Sequence, residues 1–199
     1  TNGSGNVADM PLSRIRALTI QDERNKGLST LNVPTFDEAL AVCKGKINVY
    51  VDHKSGNPSD VIAVIEKHQM LDNVAIYASV DRLRQFKRLR PTLRVISEHP
   101  AQREDIASMA VELKPLCFDG HHLKWSHGQV ADAHRAGAQV WVDMLGPFDG
   151  PLGYLWAAKM GIDAIQTDHP ETFLQWRDDI QRALDQSPPA GFSPLSQRS

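Results

Sequence analysis

A carboxylate and an ammonium group lie two residues apart where a predicted strand ends, at Asp52 and Lys54. Side chains of a strand alternate between its two faces, so Tyr50, Asp52 and Lys54 share one face while Val49 and Val51 share the other. If the two valines pack against helices, the polar face points into a pocket, where this pair suits a hard cation and a phosphate. An ordinary ion pair at a strand end is an equally good interpretation of this segment alone.

Acidic and histidine side chains also follow later predicted strands and could form a metal hydrolase centre of the amidohydrolase-like type. The candidate ligands of that alternative are Asp52, Asp119, His121, His122 and Asp168. Simpler interpretations exist, because a glycine beside polar residues, as at Gly120, is typical of a turn. A polar residue ahead of Pro170 is likewise typical of a helix cap.

Two further pairs are weaker candidates. Trp141 and Asp143 share a face of one predicted strand, and that face would line a small pocket if it points into a barrel. A buried core tryptophan is the alternative interpretation. Glu98 and His99 could form an acid–base pair, but adjacent residues of a strand face opposite ways, which disfavours this hypothesis.

Short β-branched segments alternate with amphipathic segments along the chain, which predicts a parallel sheet whose crossover connections are helices. The predicted strands are residues 47–51, 74–78, 94–97, 116–118, 138–142 and 164–167. Polar residues stand at the carboxyl ends of most of them and no glycine-rich phosphate loop follows the first, so we expect a (β/α)8-type barrel. Such barrels have eight strands in about 250 residues. About six strands are therefore present and about two βα units are missing.

Helix signals support this alternation. Thr35 with Glu38 and Ser126 with Gln129 each have the spacing of a capping box ahead of an apolar helical stripe. His134 follows such a stripe and is predicted to be a packed or partly exposed helix residue rather than a ligand.

Composition excludes several classes of protein. The net charge is −2 with both signs mixed along the chain, so no basic stripe is available for nucleic acid. No apolar run approaches the roughly 20 residues of a transmembrane helix, so we expect a soluble protein. Cys43 and Cys117 lie among apolar neighbours and are predicted to be buried thiols. The chain has no initiator Met and no leader, so the compartment stays undetermined.

Four stretches, taken in order, resemble the glycerophosphodiester phosphodiesterase family. They are TNGSGNV at residues 1–7, VPTFDEAL at 33–40, VYVDHK at 49–54 and GIDAIQTDHP at 161–170. The first and last are the most distinctive, because the family typically shows T-N-G-x-G-x-V after its second strand and G-V-D-G-I-x-T-D-x-P at its last strand.

The resemblance implies a (β/α)8 barrel that hydrolyses glycerophosphodiesters to glycerol 3-phosphate and an alcohol with Mg²⁺ or Ca²⁺. Asp52 stands where the family has a metal-binding Glu in an E-x-K pattern, and Lys54 matches the lysine that contacts phosphate. Trp141 matches a tryptophan that lines the substrate pocket. Asp143 occupies a place where Asn is common.

The same resemblance predicts that the first two βα units of the barrel are missing, so that residues 47–51 and 164–167 should be exposed edges of the sheet. The family's H-R-G, E-x-D and H-D segments, which carry the two acid–base histidines and two of three metal-binding carboxylates, precede the T-N-G-x-G stretch. We therefore expect residues 1–32 to be a remnant of the family's insertion, 33–186 the barrel portion and 187–199 a disordered tail. The chain alone is expected to be inactive, and a non-catalytic barrel used for binding is a further alternative.

Overall fold

The computed structural model describes residues 1–21 and 31–186, so the predicted tail lies outside the described residues. Its centre is a sheet of six strands that follow one another in chain order. Every neighbouring pair from the second strand to the sixth is parallel. The strands are β1 (Val49–Asp52), β2 (Val74–Tyr77), β3 (Arg94–Glu98), β4 (Cys117–His121), β5 (Gln139–Asp143) and β6 (Ala164–Gln166). Six parallel strands in this order confirm the predicted partial barrel and exclude the reversed order of a doubly wound sheet.

A helix connects each strand to the next, as parallel pairing requires. The helices are α1 (Leu12–Arg16), α2 (Phe36–Cys43), α3 (Pro58–Lys67), α4 (Val80–Leu89), α5 (Asp105–Leu113), α6 (His127–Arg135), α7 (Pro151–Met160) and α8 (Pro170–Gln186). Both predicted capping boxes are present. The Thr35 hydroxyl accepts a bond from the Glu38 amide and Ser126 does the same for Gln129, each with the reciprocal side-chain bond.

The sheet has two differently lined faces because side chains alternate along each strand. One face packs against the helices through Phe118, Val140 and Val142, which are fully buried. The other face has a small apolar base of Ala75, Ile96 and Cys117, with polar and aromatic groups beyond it. The strands therefore carry their chemistry on the face that points away from the helices.

The fourth strand is longer than predicted, and this changes one interpretation. β4 continues to His121, so Gly120 is a strand residue and the predicted turn there is wrong. A Cβ atom at Gly120 would lie 2.9 Å from the Cβ of His99, closer than real Cβ contacts allow. Glycine is used here because the neighbouring strand end approaches closely.

The chain divides into two compact units. The first consists of Thr1–Val49 and Ala63–Asn73, with Leu40, Ile65 and Met70 buried. The second consists of Tyr50–Ile62 and the residues from Val74 onward, and it holds nearly all of the sheet. The predicted boundary between residues 32 and 33 stays a prediction.

Neither cysteine forms a disulfide, since Cys43 and Cys117 are both free thiols. Cys117 is buried as predicted, whereas Cys43 is only half-buried. None of the described helices is long and apolar enough to cross a membrane.

Candidate active site

A pocket of about 620 Å³ lies at the carboxyl ends of the strands, on the face away from the helices. Its wall includes the last residues of β1, β2, β5 and β6. The lining residues are Tyr50, Asp52, Lys54, Tyr77, Asp119, Gly120, Trp141, Asp143, Ala164, Ile165 and Gln166. In parallel sheets this end is where ligands bind, and the volume is within the range of small-molecule sites.

Asp52 and Lys54 are part of this wall, as their predicted face requires. The Lys54 Nζ atom lies 2.9 Å from the Asp52 Oδ1 atom and 5.8 Å from the centre of the Tyr77 ring. The Lys54 side chain is 76% exposed and the Asp52 side chain is 48% exposed, so the ion pair adds little to the stability of the fold. Its placement in the pocket, rather than its strength, makes it a candidate for function, and the assigned roles stay predictions.

Trp141 and Asp143 lie on the same face of β5 and both line the pocket, as their spacing predicted. Trp141 is half-buried and donates a hydrogen bond from Nε1 to the Gln139 side chain at 2.9 Å. Among the described residues, no hydrogen bond or ion pair engages the Asp143 carboxylate. The two side chains therefore offer an aromatic surface and a free acidic group to a ligand.

Two tyrosines complete an aromatic wall to which no role was assigned from the sequence. The Tyr50 and Tyr77 rings stack with their centres 5.8 Å apart, and the centres of the Tyr50 and Trp141 rings are 6.3 Å apart. Alternation already placed Tyr50 beside Asp52. The contacts between rings depend on how the sheet brings side chains of β1, β2 and β5 together, which the sequence does not reveal.

Asp119 lies deeper in the pocket and is 6% exposed. It accepts a hydrogen bond from the Tyr50 hydroxyl at 2.7 Å. Burial raises the pKa of the Asp119 carboxyl, and the nearby charges of Asp143 and Asp52 raise it further, against the opposing effect of the Tyr50 bond. Burial and the bond to Asp119 also raise the pKa of Tyr50. The pocket floor is therefore an acidic group in an environment that disfavours its charge.

The histidines of the amidohydrolase-like alternative do not line this pocket. His122 is buried against the rings of Phe148 and Trp156, at 4.6 and 5.9 Å, and one ring nitrogen lies 3.0 Å from the Asp143 carbonyl oxygen. The His121 ring accepts a bond from the Leu123 amide. The contacts of His121 and His122 with their neighbours are those of structural residues and do not indicate that the two rings bind one metal ion.

Asp168 is also separate from the proposed cluster. Its backbone amide donates to the Asp149 carboxylate at 2.6 Å, and Asp149 also accepts bonds from Thr167 and Tyr154. Within residues 1–21 and 31–186 no three His, Cys, Asp or Glu side chains are grouped so that they could hold a metal ion. The five-residue centre of the alternative is not assembled.

Glu98 and His99 line a separate cavity of about 670 Å³, and no bond joins their side chains. The His99 ring packs edge-on against Trp125 and lies 3.2 Å from the Gln129 amide nitrogen. Burial, and then the charge of Lys124, lower the pKa of His99. These contacts favour a packed neutral histidine over an acid–base partner of Glu98.

Fold and pocket together define a class of protein, the parallel βα barrels with a pocket at the carboxyl ends of their strands. Comparison with solved structures identifies a smaller group of similar folds within this class. A glycerophosphodiester phosphodiesterase from Agrobacterium tumefaciens matches with a TM-score of 0.75 at 20% identity, over 87% of this chain and 75% of that chain. A protein from Galdieria sulphuraria, provisionally given the same name, matches with a TM-score of 0.76 at 16% identity. The match covers 89% of this chain and 74% of that chain.

An Oleispira antarctica phosphodiesterase, solved in complex with the product sn-glycerol-3-phosphate, matches with a TM-score of 0.70 at 20% identity, over 92% of this chain and 74% of that chain. No protein-family model matches the sequence, and no curated protein matches it. The chain therefore has the fold of the glycerophosphodiester phosphodiesterases and spans about three quarters of their length. The structural likeness that its motifs predicted is confirmed.

Proposed function

We propose that the chain forms the substrate-binding part of a glycerophosphodiester phosphodiesterase, an enzyme that releases glycerol 3-phosphate and an alcohol. One observation carries the proposal: Asp52 and Lys54 form a 2.9 Å pair in the wall of a pocket at the carboxyl ends of the strands. The complex of the Oleispira antarctica relative with sn-glycerol-3-phosphate supports this class of ligand.

Lys54 is proposed to bind the phosphate of the substrate. Its ammonium group is exposed in the pocket, and a charge-assisted hydrogen bond to a phosphate oxygen is stronger than one between neutral groups. Asp52 holds the ammonium in place before substrate binds. In the reaction, a fixed positive charge beside the phosphate would also stabilise negative charge that develops on its oxygens.

We further propose that the complete site uses Mg²⁺ or Ca²⁺ and that Asp52 contributes one ligand. Such ions take about six or more oxygen ligands. The described residues do not fit a complete cation site, because Asp52 is paired with Lys54, Asp119 is bonded to Tyr50, and no group of three suitable side chains exists among them. Additional carboxylates, of the kind the E-x-D segment supplies in the family, would be needed.

Besides a complete cation site, hydrolysis in this family requires acid–base catalysis, and the described residues do not supply the groups for it. The 199-residue sequence contains no H-R-G, E-x-D or H-D segment. A positioned acid or base contributes roughly 10²- to 10⁴-fold to rate. We therefore expect the chain to bind glycerol 3-phosphate without hydrolysing its diesters.

A calorimetric titration with glycerol 3-phosphate tests the proposal. Binding should be saturable in the unaltered chain and should weaken roughly tenfold or more in the K54A variant, because a hydrogen bond to a charged group is lost. Lys159 is exposed on α7 and outside the pocket, so K159A is the matched control. Equal affinity in K54A and K159A would remove Lys54 from phosphate binding.

A barrel that binds its ligand without catalysis is a second candidate, because the described pocket residues can supply binding groups on their own. A polypeptide that carries the first two βα units of the Agrobacterium tumefaciens enzyme could be added to the chain in trans. Turnover that depends on both components supports the enzyme; glycerol 3-phosphate release that stays at background, despite formation of the complex, supports the binding role.

A further inference from the structure

A second cavity, of about 670 Å³, lies beside the end of β3 and shares no lining residue with the candidate active site. It is bounded by the chain that follows β3, by the first residue of α4, by α5 and α6, and by the short turn His122–Lys124. Its volume is within the range of small-molecule sites, so it has room for a ligand of its own.

Two opposite charges line this second cavity, and they do not form a pair. The side chains of Glu98 and Lys124 are both exposed at its wall. Within the part of the chain that the structure describes, no ion pair or hydrogen bond engages the Glu98 carboxylate or the Lys124 ammonium group. Because the two groups share a cavity without touching, a ligand can lie between them and contact both.

The other two polar side chains of the lining, His99 and Gln129, are already engaged. The Gln129 side-chain oxygen accepts a bond from the Ser126 amide at 3.1 Å, so the nitrogen that lies 3.2 Å from His99 Nε2 is its amide NH₂ group. That group can only donate, so His99 Nε2 accepts and the ring is neutral. Burial, and then the charge of Lys124, lower the pKa of His99 in agreement with this. The charged groups left for a ligand are Glu98 and Lys124.

The rest of the lining is apolar. It consists of Val80, Pro100, Ala101 and Met109. The unbranched thioether side chain of Met109 adapts its shape to what it contacts, so this part of the wall suits a hydrocarbon group. A ligand that uses the whole cavity therefore carries an acidic group, an amine and a hydrocarbon portion.

From these three properties we infer that the second cavity binds an amphipathic zwitterion of the aliphatic α-amino acid class. Its carboxylate lies at Lys124, its ammonium group at Glu98 and its side chain against Met109. A simple anion would be attracted by Lys124 and repelled by Glu98, and a simple cation the reverse, whereas a zwitterion satisfies both charges. No residue of the candidate active site takes part, so this site goes beyond the proposed function.

Calorimetry on the unaltered chain at neutral pH compares three compounds of nearly equal shape. They are L-leucine, 4-methylpentanoate, which lacks the amine, and 3-methylbutan-1-amine, which lacks the carboxylate. Leucine should bind at least several-fold more tightly than either, since each charged group adds its own charge-assisted hydrogen bond. High salt should reduce the advantage of leucine because both charges of the wall are exposed. Leucine that binds no more tightly than either truncated compound, or that does not bind saturably, would overturn the inference.

Two variants assign each charge of the ligand to its partner. E98Q should bind leucine several-fold more weakly, and about as tightly as it binds 4-methylpentanoate. K124A should likewise bind leucine about as tightly as 3-methylbutan-1-amine. E171Q on α8 and K159A on α7 remove exposed charges outside the cavity, so they are the matched controls and should leave all three affinities unchanged.

Both substituted side chains are exposed, so E98Q and K124A should fold, which circular dichroism checks. Unchanged leucine affinity in the folded variants contradicts the assignment.

Glycerol 3-phosphate shows whether the two cavities are separate sites. K124A should bind it as the unaltered chain does, and K54A should bind leucine as the unaltered chain does. Loss of leucine binding in K54A would place leucine in the candidate active site and refute the second site. Leucine binding that follows Glu98 and Lys124 in a chain that does not bind glycerol 3-phosphate would refute only the proposed function and would support the second site.

Discussion

At the scale of single residues, the pocket contains one carboxyl group, that of Asp119, in surroundings that disfavour its charged form. Asp119 is buried near two other acids, and its one side-chain partner is the hydroxyl of Tyr50. A native fold rarely retains such a group for stability, and perturbed acids in clefts are often functional. Its effect on folding can be measured directly.

The D119N variant should gain stability relative to the unaltered chain as pH rises. The folded-state pKa of Asp119 is raised, so its contribution to stability is present below the ordinary aspartate value, near 4, and is lost as pH rises through the raised value. Asparagine keeps an oxygen that can accept the Tyr50 bond. Urea unfolding at pH 4.5 and pH 7 measures the difference, with D72N in an exposed turn as control. If the stability difference between D119N and the unaltered chain is the same at both pH values, the raised pKa of Asp119 is contradicted.

His134 gives a second dependence on pH, outside the pocket. Its ring lies 2.8 Å from the Asp163 carboxylate, and that bond raises the pKa of the histidine against a partial effect of burial. The ion pair therefore adds stability below the ordinary histidine pKa of about 6.5, and this is lost as pH rises through the raised value.

The H134N variant should accordingly lose more stability at pH 5.5 than at pH 8.5. Unfolding free energies at both values test this, and H127N on the same helix, at an exposed position, is the control. Because the pair is partly exposed, high salt should reduce the difference. An equal loss at both pH values would exclude the ion pair as its cause.

Residue-scale prediction succeeded where alternation alone decides the outcome. Asp52, Trp141 and Asp143 reach the pocket because the face of a strand residue follows from its position, and Lys54, two residues after the end of β1, lines the same pocket. The contact of Tyr50 with Asp119 joins residues 69 positions apart on two strands that are not neighbours in the sheet, so it could not be predicted from the sequence. The roles of the four residues in binding stay predictions.

At the scale of elements, the ends of neighbouring strands are tightly constrained. Gly120 lies in β4 beside His99, the residue that follows β3, and the amide of His99 donates to the Asp119 carbonyl at 2.7 Å. The sequence suggested a turn, because short β-branched runs mark the middle of a strand better than its end. The bond to the neighbouring segment extends the strand by three residues.

Replacement of Gly120 by alanine should destabilise the protein by about 1 to 3 kcal/mol, the usual cost of forcing a methyl group into a packed site. The methyl would meet the Cβ of His99, which moves only with its backbone. Gly150 has open space around it and an extended backbone, so G150A is the matched control. Denaturant unfolding of both variants measures the effect, and equal stability would show that β3 and β4 can separate without cost.

At the scale of the whole molecule, the chain carries a pocket at the carboxyl ends of a sheet of six sequentially ordered strands. Six strands and their order could be predicted from alternation and from helix signals, since each βα unit is local in sequence. The length of β4 and the assembly of the aromatic wall could not, because they arise from contacts between units.

The chain should bind Mg²⁺ and Ca²⁺ more weakly than about 1 mM, because its described acids are engaged or dispersed. Calorimetric titration with each ion, after treatment with a chelator, tests this. Removal of divalent ions should leave the unfolding midpoint unchanged. Tight, saturable binding that is lost in D52N would show that Asp52 gathers ligands without the family's additional carboxylates.

The sequential order of the strands has a consequence for how the chain folds. Each strand pairs with the one made just before it, so the pairings span short distances along the chain and closing them costs little entropy. During synthesis the sheet can therefore grow in one direction as the ribosome releases each unit. Among the described strands, β1 and β6 each have one neighbour in the sheet, so fraying should begin at these two strands, with β3 and β4 retaining their amide protons longest in hydrogen exchange.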